Sequence, residues 1–191
     1  MLSDAAARCL LVLHTALGVS AVAAGTHLVV WLRRYLRGQA GRRRAVVKFA
    51  WLFLGLQLAA FVAGNAMYPT YKVEVRAAYL ESAPAVAEAH DAHARQLARI
   101  DARDSSPPDE TATAALVHRA AQAARWFDVK EHWIALGILA SAAVVLVLSL
   151  WDPHRDATVI GPFVAGLALI ACATTWLGAI IGVLTAAWRA V

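Results

Sequence analysis

Few side chains able to do chemistry lie within the apolar parts of this sequence, and the histidines stand out among them. His14 lies well inside the first apolar run, His27 lies near the end of the same run, and His132 opens the third run just after Asp128, Lys130 and Glu131. An ionisable group inside a bilayer is costly and needs a reason to be there. Two neutral imidazoles facing each other from different helices are the usual axial pair of a haem b. His14, Gly18, Ala21 and Gly25 recur at i, i+4, i+7 and i+11 on one helix face. Small side chains there leave room for a flat ligand, and equally for another helix. The expectation is therefore one haem b, with His14 and His132 as metal ligands and Gly18 against the porphyrin. Lys130 would meet a propionate, and Glu131 would exchange a proton with a quinone head group. The competing reading is a pair of packed histidines with local hydrogen bonds.

The other candidates are weaker. His14 and His27 are thirteen residues apart, about 20 Å along a helix but about 140° apart around it, which argues against a second stacked haem. His154, in a short connection, is the one candidate partner for His27. The segment 126–133 brings Trp126, Asp128, Lys130, Glu131, His132 and Trp133 together. Interfacial anchoring explains most of it. A polar cluster of His14, Asn65, Tyr68, Glu131 and His132 is expected at one membrane face, either as a site or as a hydrogen-bonded helix junction. His90 and His93 share a helix face, and His118 on a second arm would complete a metal site. A solvated charged face is the plainer reading.

Stepping from side chains to the segments that carry them, four apolar runs are evident, at 9–32, 45–68, 132–151 and 159–188. Each reaches the length of about 20 residues that crosses a roughly 30 Å hydrocarbon core. Hydrophobic residues are 60% of the 191-residue chain and charged residues 16%, against roughly 25% charged in soluble domains. The predicted fold is an all-α four-transmembrane-helix bundle with an extramembrane helical hairpin, 69–131, between spans 2 and 3. That segment reads as two arms split at Ser105-Ser106-Pro107-Pro108, with Pro84 kinking the first. Ala21-Val22-Ala23 resembles a signal cleavage site, but the run continues to Leu32 and ends in a basic cluster, which fits a retained span.

Seven basic residues (Arg33, Arg34, Arg37, Arg42, Arg43, Arg44 and Lys48) crowd the first connection, which has no acid. They account for the net charge of +5 better as a face toward anionic lipid than as a nucleic-acid site. They place that connection in the cytoplasm and both termini outside, in the inner membrane of a bacterium. Cys9 and Cys172 lie in apolar runs and read as small buried hydrophobes. Gly178 and Gly182 form a GxxxG pattern that reads as packing within the bundle. Walker A, GxGxxG, GxSxG and HExxH patterns are absent. The layout is similar, in architecture only, to four-helix membrane anchors and b-type cytochrome subunits. The expected function is a membrane subunit of an electron-transfer complex that binds haem b and meets quinone. The alternative is a non-catalytic structural or assembly subunit. The expected partners are the lipid bilayer and other membrane subunits.

Overall fold

A computed structural model describes residues 4–100, 110–153 and 158–187. The elements are α1 (Asp4–Leu36), a short 3₁₀ turn (Ala40–Arg42), α2 (Arg43–Thr70), a π-helical segment (Tyr71–Leu80), α3 (Ala83–Ile100), α4 (Glu110–Leu150) and α5 (Ile160–Ala187). Four helical stretches are long and apolar enough to span a membrane: Ala5–Leu36, Arg43–Leu80, Thr113–Leu150 and Ile160–Thr185. They contain the first two apolar runs whole and most of the other two, and they overshoot the first three at one end or both, because intrahelical hydrogen bonding continues after the hydrophobic pattern stops. The expected break at Ser105–Pro108, and His154, lie outside the described residues.

Each helix end has a local cause. Gly38 ends α1 by taking φ 105°, open to glycine without strain. Its N–H then reaches the Tyr35 carbonyl at 3.1 Å, and the Gln39 N–H reaches Arg34 at 3.3 Å, the paired bonds of a Schellman stop. Arg33 and Arg34 occupy the last turn of α1, where the helix dipole favours cations. Arg43 turns to the end of α4 and donates to the carbonyls of Leu148 (3.2 Å) and Trp151 (3.5 Å). Nearby, the buried Tyr35 donates its hydroxyl proton to Asp152.

Further along, Pro69 sits inside α2 and removes one N–H from the ladder. Beyond it the chain widens to i→i+5 bonding, seen where the Glu81 N–H meets the Arg76 carbonyl at 2.9 Å. The expected kink at Pro84 is instead a helix start. The break falls at Glu81 and Ser82, and α3 begins at Ala83. Pro84 thus occupies the first turn, where a missing N–H has no helical partner to lose.

The described residues divide into two compact units. One comprises 4–67 and 130–180, the other 68–129 and 181–187. The first has a single core drawn from all four long helices: Ala21, Leu28 and Leu32 of α1, Phe53 of α2, Val144 of α4, Val164 and Ala171 of α5. Glycines set the closest approaches. A Cβ on Gly25 would stand 2.7 Å from the Phe53 ring, one on Gly137 2.2 Å from Thr174 Oγ1, and one on Gly178 2.5 Å from Ile134. Such contacts suit helices in lipid, where packing has to replace the hydrophobic drive. In the second unit Leu80 and Val86 pack on Ala120 and Ala124. Arg76 there bonds both Glu81 and Asp128 at 2.7 Å.

Candidate functional site

His14 reaches its position because α1 is regular. It lies seven residues before the buried Ala21, about 20° away around the helix, and so on the core-facing side. Its Nδ1 is 2.8 Å from the carbonyl oxygen of Ala60 in α2. A carbonyl only accepts, so in the neutral ring the proton sits on Nδ1 and Nε2 keeps its lone pair. Gly64 makes room for this ring, since a Cβ there would lie 3.1 Å from His14 Cε1. One turn on from His14, a Cβ on Gly18 would meet nothing within 4 Å. The lower half of the small-residue stripe is differently used. Ala21 is buried in the core and Gly25 receives Phe53.

On α4 the same geometry separates the two candidates. Lys130 lies seven residues before the core glycine Gly137 and His132 five before it, which puts Lys130 within about 20° of Gly137 and His132 about 140° away. Lys130 is half-buried and close enough to His14 and Glu131 to act on both electrostatically. Glu131 is half-buried, whereas His132 is exposed and borders a shallow pocket of ≈170 Å³ with Trp133 and Leu136. The structure therefore brings His14 and Lys130 to inward faces and turns His132 outward. A two-residue offset on α4 decides this, and depth along the chain, which suggested His132, does not register it.

The remaining candidates are held locally. His27 stacks on Phe49, ring centroids 5.9 Å apart, with Nδ1 3.0 Å from the Ala23 carbonyl. Asn65 donates to the Phe61 carbonyl of its own helix at 3.0 Å. Tyr68 and Tyr71 stack on Phe127, at 6.3 and 4.1 Å, so these aromatics form a group of their own in the second unit. His90 lies 3.2 Å from Thr113 Oγ1, and His118 3.1 Å from Gln122 Nε2. No group of three or more His, Cys, Asp or Glu suited to a metal occurs among the described residues. Sequence reasoning missed Gln57, buried in α2 and bonded through Nε2 to Thr175 Oγ1 at 2.8 Å. Its signal was available, as a lone amide in the middle of an apolar run facing a Thr-Thr pair on another.

The fold thus defines a helical chain of the multi-pass membrane class. Comparison with protein-family models, curated proteins and solved structures finds no match.

Proposed function

We propose that this chain is the membrane subunit of an electron-transfer complex, in which His14, Lys130 and the space at Gly18 receive a quinone head group. The observation that carries the reading is the His14 ring, fixed on the Ala60 carbonyl at 2.8 Å. That bond leaves Nε2 as a proton acceptor for a quinol hydroxyl, and the nearby Lys130 ammonium supplies a donor for a quinone oxygen. Glu131, beside Lys130, passes the proton on to water, and the electrons go to a redox centre in a partner subunit. In this reading both termini face the outside of a bacterial inner membrane. The arginine-rich turn is cytoplasmic, and 69–131 forms a helical hairpin outside the bilayer. Labelling with an azido-quinone tests it. Modification should map to the 14–18 segment and fall at least tenfold in His14→Ala, while His132→Ala labels as the parent does. Equal labelling of all three proteins would overturn the proposal.

The same hydrogen bond favours a second reading. An imidazole held at Nδ1 by a carbonyl is the form that offers Nε2 to iron, so a haem b at His14 with Lys130 near a propionate is the alternative cofactor. His132 lies on the far face of α4 from Gly137. A reduced-minus-oxidised absorption spectrum separates the readings, since a haem signal would vanish in His14→Ala and persist in His132→Ala. If neither ligand binds and partner subunits co-purify unchanged with His14→Ala, the chain is a structural subunit and His14 a packing residue.

A further inference from the structure

The core-facing surfaces of α2, α4 and α5 carry four buried polar side chains: Gln57 (4% exposed), Ser141 (2%), Thr174 (3%) and Thr175 (6%). Each lies near the middle of its apolar run. The hydroxyls of Thr174 and Thr175 donate to the Ala171 carbonyl at 2.9 and 2.8 Å. A hydroxyl has one proton, so Thr175 Oγ1 can then only accept. This fixes the Gln57 amide with Nε2 toward Thr175. The flipped amide would set two acceptors against each other.

Gln57 Oε1 is left buried with no hydrogen-bond partner among the described residues, and so is Ser141 Oγ. Both residues lie beside Gly137. Gln57 Nε2 lies 3.6 Å from the point where a Gly137 Cβ would stand, and Ser141 follows Gly137 by one turn on the same face of α4. Thr174 Oγ1, with its proton spent on Ala171, lies 2.2 Å from that same point. Two acceptors and one hydroxyl thus belong to residues around Gly137, in the buried core where unpaired polar atoms are most costly. None of these groups is charged, so a cation would lack a counter-charge. The set matches a small neutral molecule that both donates and accepts.

We infer that a water molecule is bound at the middle of the bundle, bridging Gln57 Oε1 and Ser141 Oγ. It accepts the Ser141 proton, donates one proton to Oε1 and the other to Thr174 Oγ1, within the two to four partners a buried water needs.

Thermal unfolding of the detergent-purified full chain tests the inference with Gln57→Met, Ser141→Ala and the double variant. Each single substitution should lower the midpoint by roughly 2–6 °C, and the double variant should cost no more than the larger single one. A Ser141→Ala protein as stable as the parent or more so, or strictly additive effects, would overturn it. A direct reading, which stands even if Gln57→Met does not fold, is magnetisation transfer from water to the Gln57 side-chain amide in protein labelled with ¹⁵N-glutamine. A cross-peak weakened in Ser141→Ala is expected, and no cross-peak in the parent would refute bound water. A midpoint that falls when sodium is replaced by choline would assign an ion instead and equally refute it.

Discussion

The two compact units hold themselves together by different means. In the four-helix unit the close contacts are made over glycines: Gly25 with Phe53, Gly137 with Thr174, Gly178 with Ile134. In the unit containing 68–129 the apolar cluster is small, built on Leu80, Val86, Ala120 and Ala124, and Arg76 ties Glu81 and Asp128 together. The contrast follows the residues that each unit contains. Lipid offers nothing for hydrophobic side chains to escape, so close backbone approach and a few internal hydrogen bonds hold the spans together. The unit containing 68–129 has the charged residues for ion pairs and uses them beside a small apolar cluster.

The largest expected effect breaks the four-helix unit at its tightest point. Gly137→Val puts a branched side chain where a bare Cβ already meets Thr174 Oγ1 at 2.2 Å. A loss of about 2–3 kcal/mol is expected from overpacking, read as a lower unfolding midpoint in detergent. An unchanged midpoint would show that α4 and α5 do not approach this closely. A smaller effect belongs to the other unit. Arg76→Ala removes both ion pairs of a guanidinium that is 21% exposed, facing carboxylates 44% and 42% exposed, at a cost of about 1 kcal/mol. Cleavage within Ala83–Ile100 by an added protease should quicken in this variant, and in the parent at high salt. The four-helix unit should respond to neither, and a salt-sensitive bundle would dissolve the contrast. The smallest effect is expected at Gly18, where an added Cβ meets open space. Gly18→Ala should leave the midpoint unchanged or raise stability by up to about 1 kcal/mol through helix propensity. Gly18→Leu should fold as well, yet lose azido-quinone labelling if that space receives a head group.

The four spans were legible because hydrophobic length is a one-dimensional property, and each of the apolar runs at 9–32, 45–68, 132–151 and 159–188 lies wholly or mostly within a helix long enough to cross a bilayer. The stop of α1 was also written locally, in Gly38. The candidate site was legible by half. Depth along the spans brought out His14, and the run of charge before the third span brought out Lys130. Which of Lys130 and His132 faces inward required the position of the core stripe on α4. That stripe is fixed by Gly137, Ser141, Val144 and Leu148, and these are identified as buried only once the neighbouring helices are in place. Gln57 escaped because an uncharged amide barely dents a hydropathy window, while its bond to Thr175 spans 118 positions.

The sequence by itself determined that the chain forms long apolar helices and which end of the bundle carries the arginines, since each depends on residue type and near neighbours. Tertiary structure alone decided which glycines are filled, which histidine turns inward and which polar groups share a partner. Those outcomes depend on rotation about helix axes, where one residue shifts a side chain by about 100° while leaving composition and length untouched.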